Sequence, residues 1–292
     1  MIWAMLSVLA ALMWAVVNTV DKYLLTKYLK NPVIPTLFFG VISLFSAVAV
    51  YIIQGVQSLP AEGIVLALIA GMCHIAAMFL YLKAVKVEEI SRIVPLFHLE
   101  SLFIAVLAAV FLGEIFTPVK YAGIFLLVAG AMMISYKGKG IRLSRGFWLM
   151  ILAALMFTAT TVMIKYLLAF ADYWSIFAYI RFFVGATMLP VFYMNRHAVT
   201  DVLRKHGKKP LLMITGNEIL NVLALLVFVM AVASGFVTLV DAFQTTQSLF
   251  VIVIATALGM FCPKIFKEEL GKAIALKLTA VLIMFLGILL LS

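Results

Sequence analysis

Ten apolar runs of nearly equal length decide what this 292-residue chain can become. They cover roughly 3–22, 33–53, 61–82, 91–112, 117–136, 146–168, 173–194, 209–233, 237–261 and 272–291. Each is near the ~20 residues that a helix needs to cross ~30 Å of hydrocarbon. In lipid every backbone N–H and C=O must find its partner within the protein, which leaves only helices or closed barrels. A barrel strand alternates apolar and polar residues, whereas these runs are continuous. The expected fold class is therefore all-α and integral to the membrane, with ten transmembrane helices. Turn and breaker residues separate the runs: Asn31-Pro32, Ser58 to Pro60, Gly113 to Pro118, Lys137 to Gly140 and Cys262-Pro263. The first run has no basic leader and no small-residue cleavage site, so it is taken as helix one and not as a signal peptide.

Composition agrees with this reading. Hydrophobic residues make up 66% of the chain and charged residues 12%, with a mean hydropathy of +1.21. Soluble domains run at about 45–50% apolar and about 25% charged. The net charge of +10 does not point to nucleic acid, because the basic residues sit in short loops between apolar runs, where they mark orientation. Lys22, Lys27 and Lys30 follow helix one, and Lys83, Lys86 and Arg92 flank the third break. Lys137, Lys139, Arg142 and Arg145 fill the fifth, Arg196 and Arg204 to Lys209 the seventh, and Lys264 to Lys277 surround the ninth. The odd loops are thus expected to be cytoplasmic and both termini outside. Cys73 and Cys262 fall in or beside apolar runs, which implies neither a disulfide framework nor a metal site.

The chain is also written twice. Leu9 to Leu25 reads LAALMWAVVNTVDKYLL and Leu152 to Leu168 reads LAALMFTATTVMIKYLL, at a constant offset of 143. Ala84-Val85 and Ser101 to Phe103 recur at Ala231-Val232 and Ser248 to Phe250, at an offset of 147. Fixed-register matches of this kind indicate an internal duplication. Five helices per half is an odd number, so the two copies must enter the membrane in opposite senses. Lys22 then lies on the basic face and Lys165 on the other. The expected organisation is a first five-helix repeat over 1–140 and a second over 141–292.

Ten helices in two inverted halves, the Phe111 to Glu114 sequence FLGE closing helix four, and a Gly-rich helix five after Thr117 resemble the EamA-type branch of the drug/metabolite transporter superfamily. The resemblance spans essentially the whole chain. It implies a substrate cavity between the halves, lined mainly by helices one to four and six to nine. The second half departs from the pattern, with Gly259 to Glu269 in place of a clean Gly-Glu turn. The membrane Glu that binds cations in the small multidrug-resistance branch has no equivalent in helix one before Asp21, so that site is not carried over.

Polar groups at bilayer depth point to the same cavity. An ionisable residue there costs at least ~2.5–3.5 kcal/mol on insertion scales, so it faces protein or water. The candidate cavity residues are Asn18 in helix one, His74 in helix three, and His98 and Glu100 in helix four. The second half supplies Arg181 in helix seven, Asn217, Glu218 and Asn221 in helix eight, and Asp241, Gln244 and Gln247 in helix nine. His98 and Glu100 are about 200° apart on a helix and cannot both point along one line. Pro95 frees a backbone carbonyl nearby. By the 147 offset Asn221 lies over His74, and Gln247 over Glu100. Arg181 has two readings, an ion pair with Glu218 or Glu100 and an anchor for a substrate carboxylate or phosphate. Lys22 and Lys165 read as snorkelling residues, and Phe79, Tyr81, Phe97, Phe228 and Met230 as helix packing.

No HExxH, G-x-S-x-G, Walker A or Cys/His metal spacing is present in the sequence. The expectation is a secondary transporter, not an enzyme, that exports a small polar or amphipathic metabolite such as an amino acid. It would work by alternating access, as a monomer or homodimer, with no cofactor. Glu100, Glu218 and Asp241 are the groups that would exchange protons if protons drive it. The alternatives are a flippase of a lipid-linked sugar and, further off, an integral-membrane enzyme.

Overall fold

The computed structural model describes residues 2–29, 31–87, 96–97, 99–134, 145–261 and 272–291. Its regular elements are all helices. They are α1 (Ile2–Lys27), α2 (Val33–Gln54), α3 (Ala61–Val87), α4 (Leu99–Phe111), α5 (Pro118–Ile134) and α6 (Arg145–Leu167). Then follow α7 (Tyr173–His206), α8 (Lys209–Ser234), α9 (Val237–Gln244), α10 (Gln247–Phe261) and α11 (Lys272–Leu291). Seven segments are long and apolar enough to cross a membrane: α1, α2, α3, α6, α7, α8 and the stretch Val237–Gly259, in which α9 and α10 follow one another. Counting that stretch as one, the described helices number ten. Large apolar side chains such as Phe45, Ile53, Val110, Met194 and Leu282 point outward, as a lipid-facing surface requires.

The most extensive contacts join α1 with α8, α3 with α6, α2 with α7, and α5 with α11. Small residues allow the last two pairs to close. A Cβ on Gly185 would meet Leu44 Cβ at 2.6 Å and Gly40 O at 3.0 Å, and one on Gly287 would meet Gly123 O at 2.8 Å. Between hydrocarbon-soluble helices this close backbone approach takes the place of a hydrophobic drive.

Two elements differ from the apolar pattern. The seventh run ends near residue 194, but α7 continues to His206, because an exposed polar stretch with Arg204, Lys205 and His206 in its last turn suits the negative end of a helix. Gly207, at φ 69°, then ends it by donating to Leu203 O. The ninth run is broken at Thr245-Thr246. There the backbone N–H groups turn to the i−3 carbonyls of Ala242 and Phe243, and both threonine hydroxyls bond to the same two carbonyls at 2.8 Å. A Thr hydroxyl competes for backbone partners in this way when it sits inside a helix.

Candidate functional site

A cavity of ≈ 110 Å³ opens where α1, α3 and α4 face α6, α8 and α9–α10. Its wall follows the two constant offsets of the repeated sequence. Trp14, Val17, Asn18 and Asp21 on α1 answer to Phe157, Thr160, Thr161 and Ile164 on α6, at 143. His74, Met78, Tyr81, Phe97 and Glu100 answer to Asn221, Leu225, Phe228, Gln244 and Gln247, at 147. Asp241 completes the wall, and its counterpart Val94 lies outside the described residues. The positions repeat while the chemistry does not. The acidic Asp21 and Glu100 face the neutral Ile164 and Gln247.

Hydrogen bonds fix these side chains across helix boundaries. The Tyr81 hydroxyl donates to Asn18 Oδ1 at 2.9 Å, and Trp14 Nε1 donates to Asn221 Oδ1 at 2.9 Å. Asn217 Nδ2 donates to Asp21 Oδ1 at 2.8 Å, and Asn221 Nδ2 to Glu218 Oε2 at 3.0 Å. At another part of the wall Thr161 donates to Glu100 Oε1 at 3.2 Å and Ser101 to Asp241 Oδ2 at 2.6 Å. Gln244 Nε2 reaches Ser7 O at 3.0 Å, holding the break between α9 and α10 against α1. Four buried atoms on wall residues have no partner: Asn18 Nδ2, Asp21 Oδ2, His74 Nδ1 and Gln244 Oε1. His74 is stacked on Phe39 at 5.6 Å and edge-on to Phe157 at 5.3 Å.

Of the candidate residues, Asn18, His74, Glu100, Asn221, Asp241, Gln244 and Gln247 share this wall. Asn217 and Glu218 stand behind it, in contact with Asp21 and Asn221. Arg181 is also off the wall and is fully buried. Its Nη1 donates to Ser43 Oγ at 3.3 Å, its guanidinium carbon lies 4.9 Å over Phe39, and Nε and Nη2 have no partner. The close partner is a serine on α2 and not a carboxylate. His98 and Pro95 lie outside the described residues, as do Cys262 and most of the basic residues of the fifth and ninth breaks.

The aromatic wall residues Trp14, Tyr81, Phe97, Phe157 and Phe228 are the group that polar-residue reasoning passes over. Tyr81, Phe97 and Phe228, which read as packing in the sequence, are on the wall. The signal that finds them is the offset itself: Trp14 lies over Phe157, and Tyr81 over Phe228. Lys22 and Lys165 do more than reach for an interface. Lys22 Nζ donates to Val85 O at 3.0 Å, and Lys165 Nζ to Val232 O at 2.9 Å and Gly235 O at 2.7 Å. Each binds a carbonyl at the end of the helix to which its own helix is packed or adjacent, and the same two offsets relate the two contacts. Glu114, the last residue of FLGE, accepts from the N–H groups of Val237 and Thr238 at 2.9 and 3.1 Å, and from the Thr238 hydroxyl at 2.9 Å. It thereby caps α9. Among the described residues, no group of three His, Cys, Asp or Glu is placed to hold a metal ion.

Comparison with known proteins adds a family match over the first part of the chain and a likeness of fold over nearly all of it. Residues 1–136 match the EamA-like transporter family. A solved structure, described only as "Crystal structure of protein", superposes with a TM-score of 0.71 at 15% identity, covering 99% of this chain and 97% of its own, a likeness of fold. No curated protein matches the chain in sequence.

Proposed function

We propose, from the match of residues 1–136 to the EamA-like transporter family, a secondary active transporter of the drug/metabolite type built as two inverted five-helix repeats, 1–140 and 141–292. The observation that carries this reading is the wall of the cavity, to which both halves contribute at constant offsets. The helix pairing supports it as well: exchanging the halves turns the α1–α8 contact into the α6–α3 contact and leaves α2–α7 and α5–α11 unchanged. Such a molecule moves by rocking one repeat against the other around a site between them, opening it first to one face and then to the other. The broken ninth span supports a binding role, because irregular backbone at membrane depth is tolerated where it lines a cavity. The excess of Lys and Arg in the odd-numbered loops supports termini that face outward. The cargo is a small polar or amphipathic metabolite, the direction is export, and Glu100 or Asp241 is the group that carries a coupling proton. A lipid-linked sugar would need cations near its phosphates, and the described wall carries carboxylates and neither Lys nor Arg.

The test is a thermal-shift screen of metabolites on the purified protein, followed by counterflow in proteoliposomes for each hit. A hit that accumulates against its gradient in preloaded vesicles supports transport. A ligand that stabilises the protein and is never moved counts against it.

A further inference from the structure

The wall of the cavity carries three carboxylates, Asp21, Glu100 and Asp241, together with His74, and neither Lys nor Arg among its described residues. Arg181, which would bind a substrate carboxylate, is held away from the wall against Ser43 and Phe39. Electrostatic complementarity therefore selects against an anionic group and for a cationic one. Aromatic rings stand beside the acids. Phe97 and Glu100 both line the cavity, and on α6 Phe157 precedes Thr161, the donor to Glu100, by four. Residues at that spacing share a helix face. Phe97 lies 4.9 Å from Tyr81 and 5.5 Å from Phe157, and Trp14 lies 5.5 Å from Phe228. Ring faces attract cations and pack apolar bodies.

Of the four unsatisfied wall atoms, Asn18 Nδ2 is a donor and is left to an acceptor on the body of the ligand, and the other three sharpen the choice. Asp21 Oδ2 and Gln244 Oε1 accept hydrogen bonds only, and His74 Nδ1 accepts when that nitrogen carries no proton. Asp21 and Gln244 are both more than nine-tenths buried. These atoms call for donors, which a primary or secondary ammonium supplies and a quaternary one does not. On the reading of this chain as a transporter, we propose that its cavity takes a primary or secondary amine with an aromatic or apolar body and no carboxylate. The ammonium sits among Glu100, Asp241 and Asp21, and the body lies against Phe97, Phe157 and Tyr81.

Three compounds of one skeleton test this: phenethylamine, phenylalanine and 3-phenylpropionate, each titrated into the purified full-length protein by calorimetry. Phenethylamine is expected to bind at least about tenfold more tightly than the other two, because each of them brings a carboxylate to an acidic wall. Glu100→Gln keeps an oxygen for Thr161, and Asp21→Asn keeps one for Asn217. Each is expected to weaken phenethylamine by about tenfold, the scale of one lost charge-assisted contact, with the ligand-free melting temperature within a few degrees of the parent's. Phenylalanine or 3-phenylpropionate binding as tightly as the amine, no binding of the amine, or full amine affinity in both variants would overturn the proposal. Counterflow separates the two readings. Phenethylamine that binds with this selectivity but is not moved leaves the amine site standing and removes the transport reading.

Discussion

Glu114 shows how much a single side chain can do at a distance. It closes α4, yet its carboxylate satisfies two backbone N–H groups at the start of α9, 123 residues away. Helix N-termini leave such donors without intrahelical partners, and an acidic acceptor there also meets the positive end of the helix. Lys165 meets the end of the preceding helix through Val232 O and Gly235 O, so one acid and one base hold both sides of the link between α8 and α9. Hydrogen bonds to a charged group are worth about 1.5–3 kcal/mol each. Glu114→Ala should destabilise the protein by at least about that much, and Glu114→Gln by less, because the amide oxygen still accepts. Denaturant unfolding in detergent measures both. The sequence made FLGE legible as the end of a helix, but its partner was not, since no local rule joins residues so far apart. Arg181 was legible as an intramembrane cation. Its neighbours Ser43 and Phe39 were not, because they depend on how α2 packs on α7.

The helices themselves were the most legible part of the molecule, because continuous apolar runs of this length have few other fates in a bilayer. Their ends were less so. Hydropathy reports where lipid stops, so the polar extension of α7 to His206 reads as a loop even though its backbone stays helical. The break at Thr245-Thr246 is hidden for the opposite reason: the run stays apolar enough on both sides to pass as one span, and only the hydroxyl bonds to Ala242 and Phe243 interrupt it. Packing between elements turns on small residues. At Gly185 a side chain would collide with Leu44 and with the backbone of Gly40. Gly185→Val should force α2 and α7 apart and lower stability by about 1–3 kcal/mol, the usual cost of overpacking. Gly216, where an added Cβ meets nothing within 4 Å, provides the control as Gly216→Ala. A similar loss at both positions would argue against a close α2–α7 crossing.

For the whole molecule, the repeated spelling at Leu9 to Leu25 and Leu152 to Leu168 said more than any motif. The offsets of 143 and 147 recover nine pairs of wall positions, including aromatic residues that composition alone assigns to packing. What the repeat leaves unread is the chemistry, because paired positions carry different side chains, as Glu100 and Gln247 do. In the proposed transport cycle this wall is reached from each face of the membrane in turn, and cysteine accessibility tests that without knowing the cargo. In a background with Cys73 and Cys262 replaced by Ser, Phe157→Cys places a thiol on the wall, while Ser58→Cys and Lys208→Cys mark the two membrane faces. Right-side-out and inside-out vesicles that stay sealed to small ions are exposed to a membrane-impermeant maleimide. Ser58→Cys is expected to label only from outside, Lys208→Cys only from the cytoplasmic side, and Phe157→Cys from both. Labelling of Phe157→Cys from one face only, however long the exposure, would contradict it.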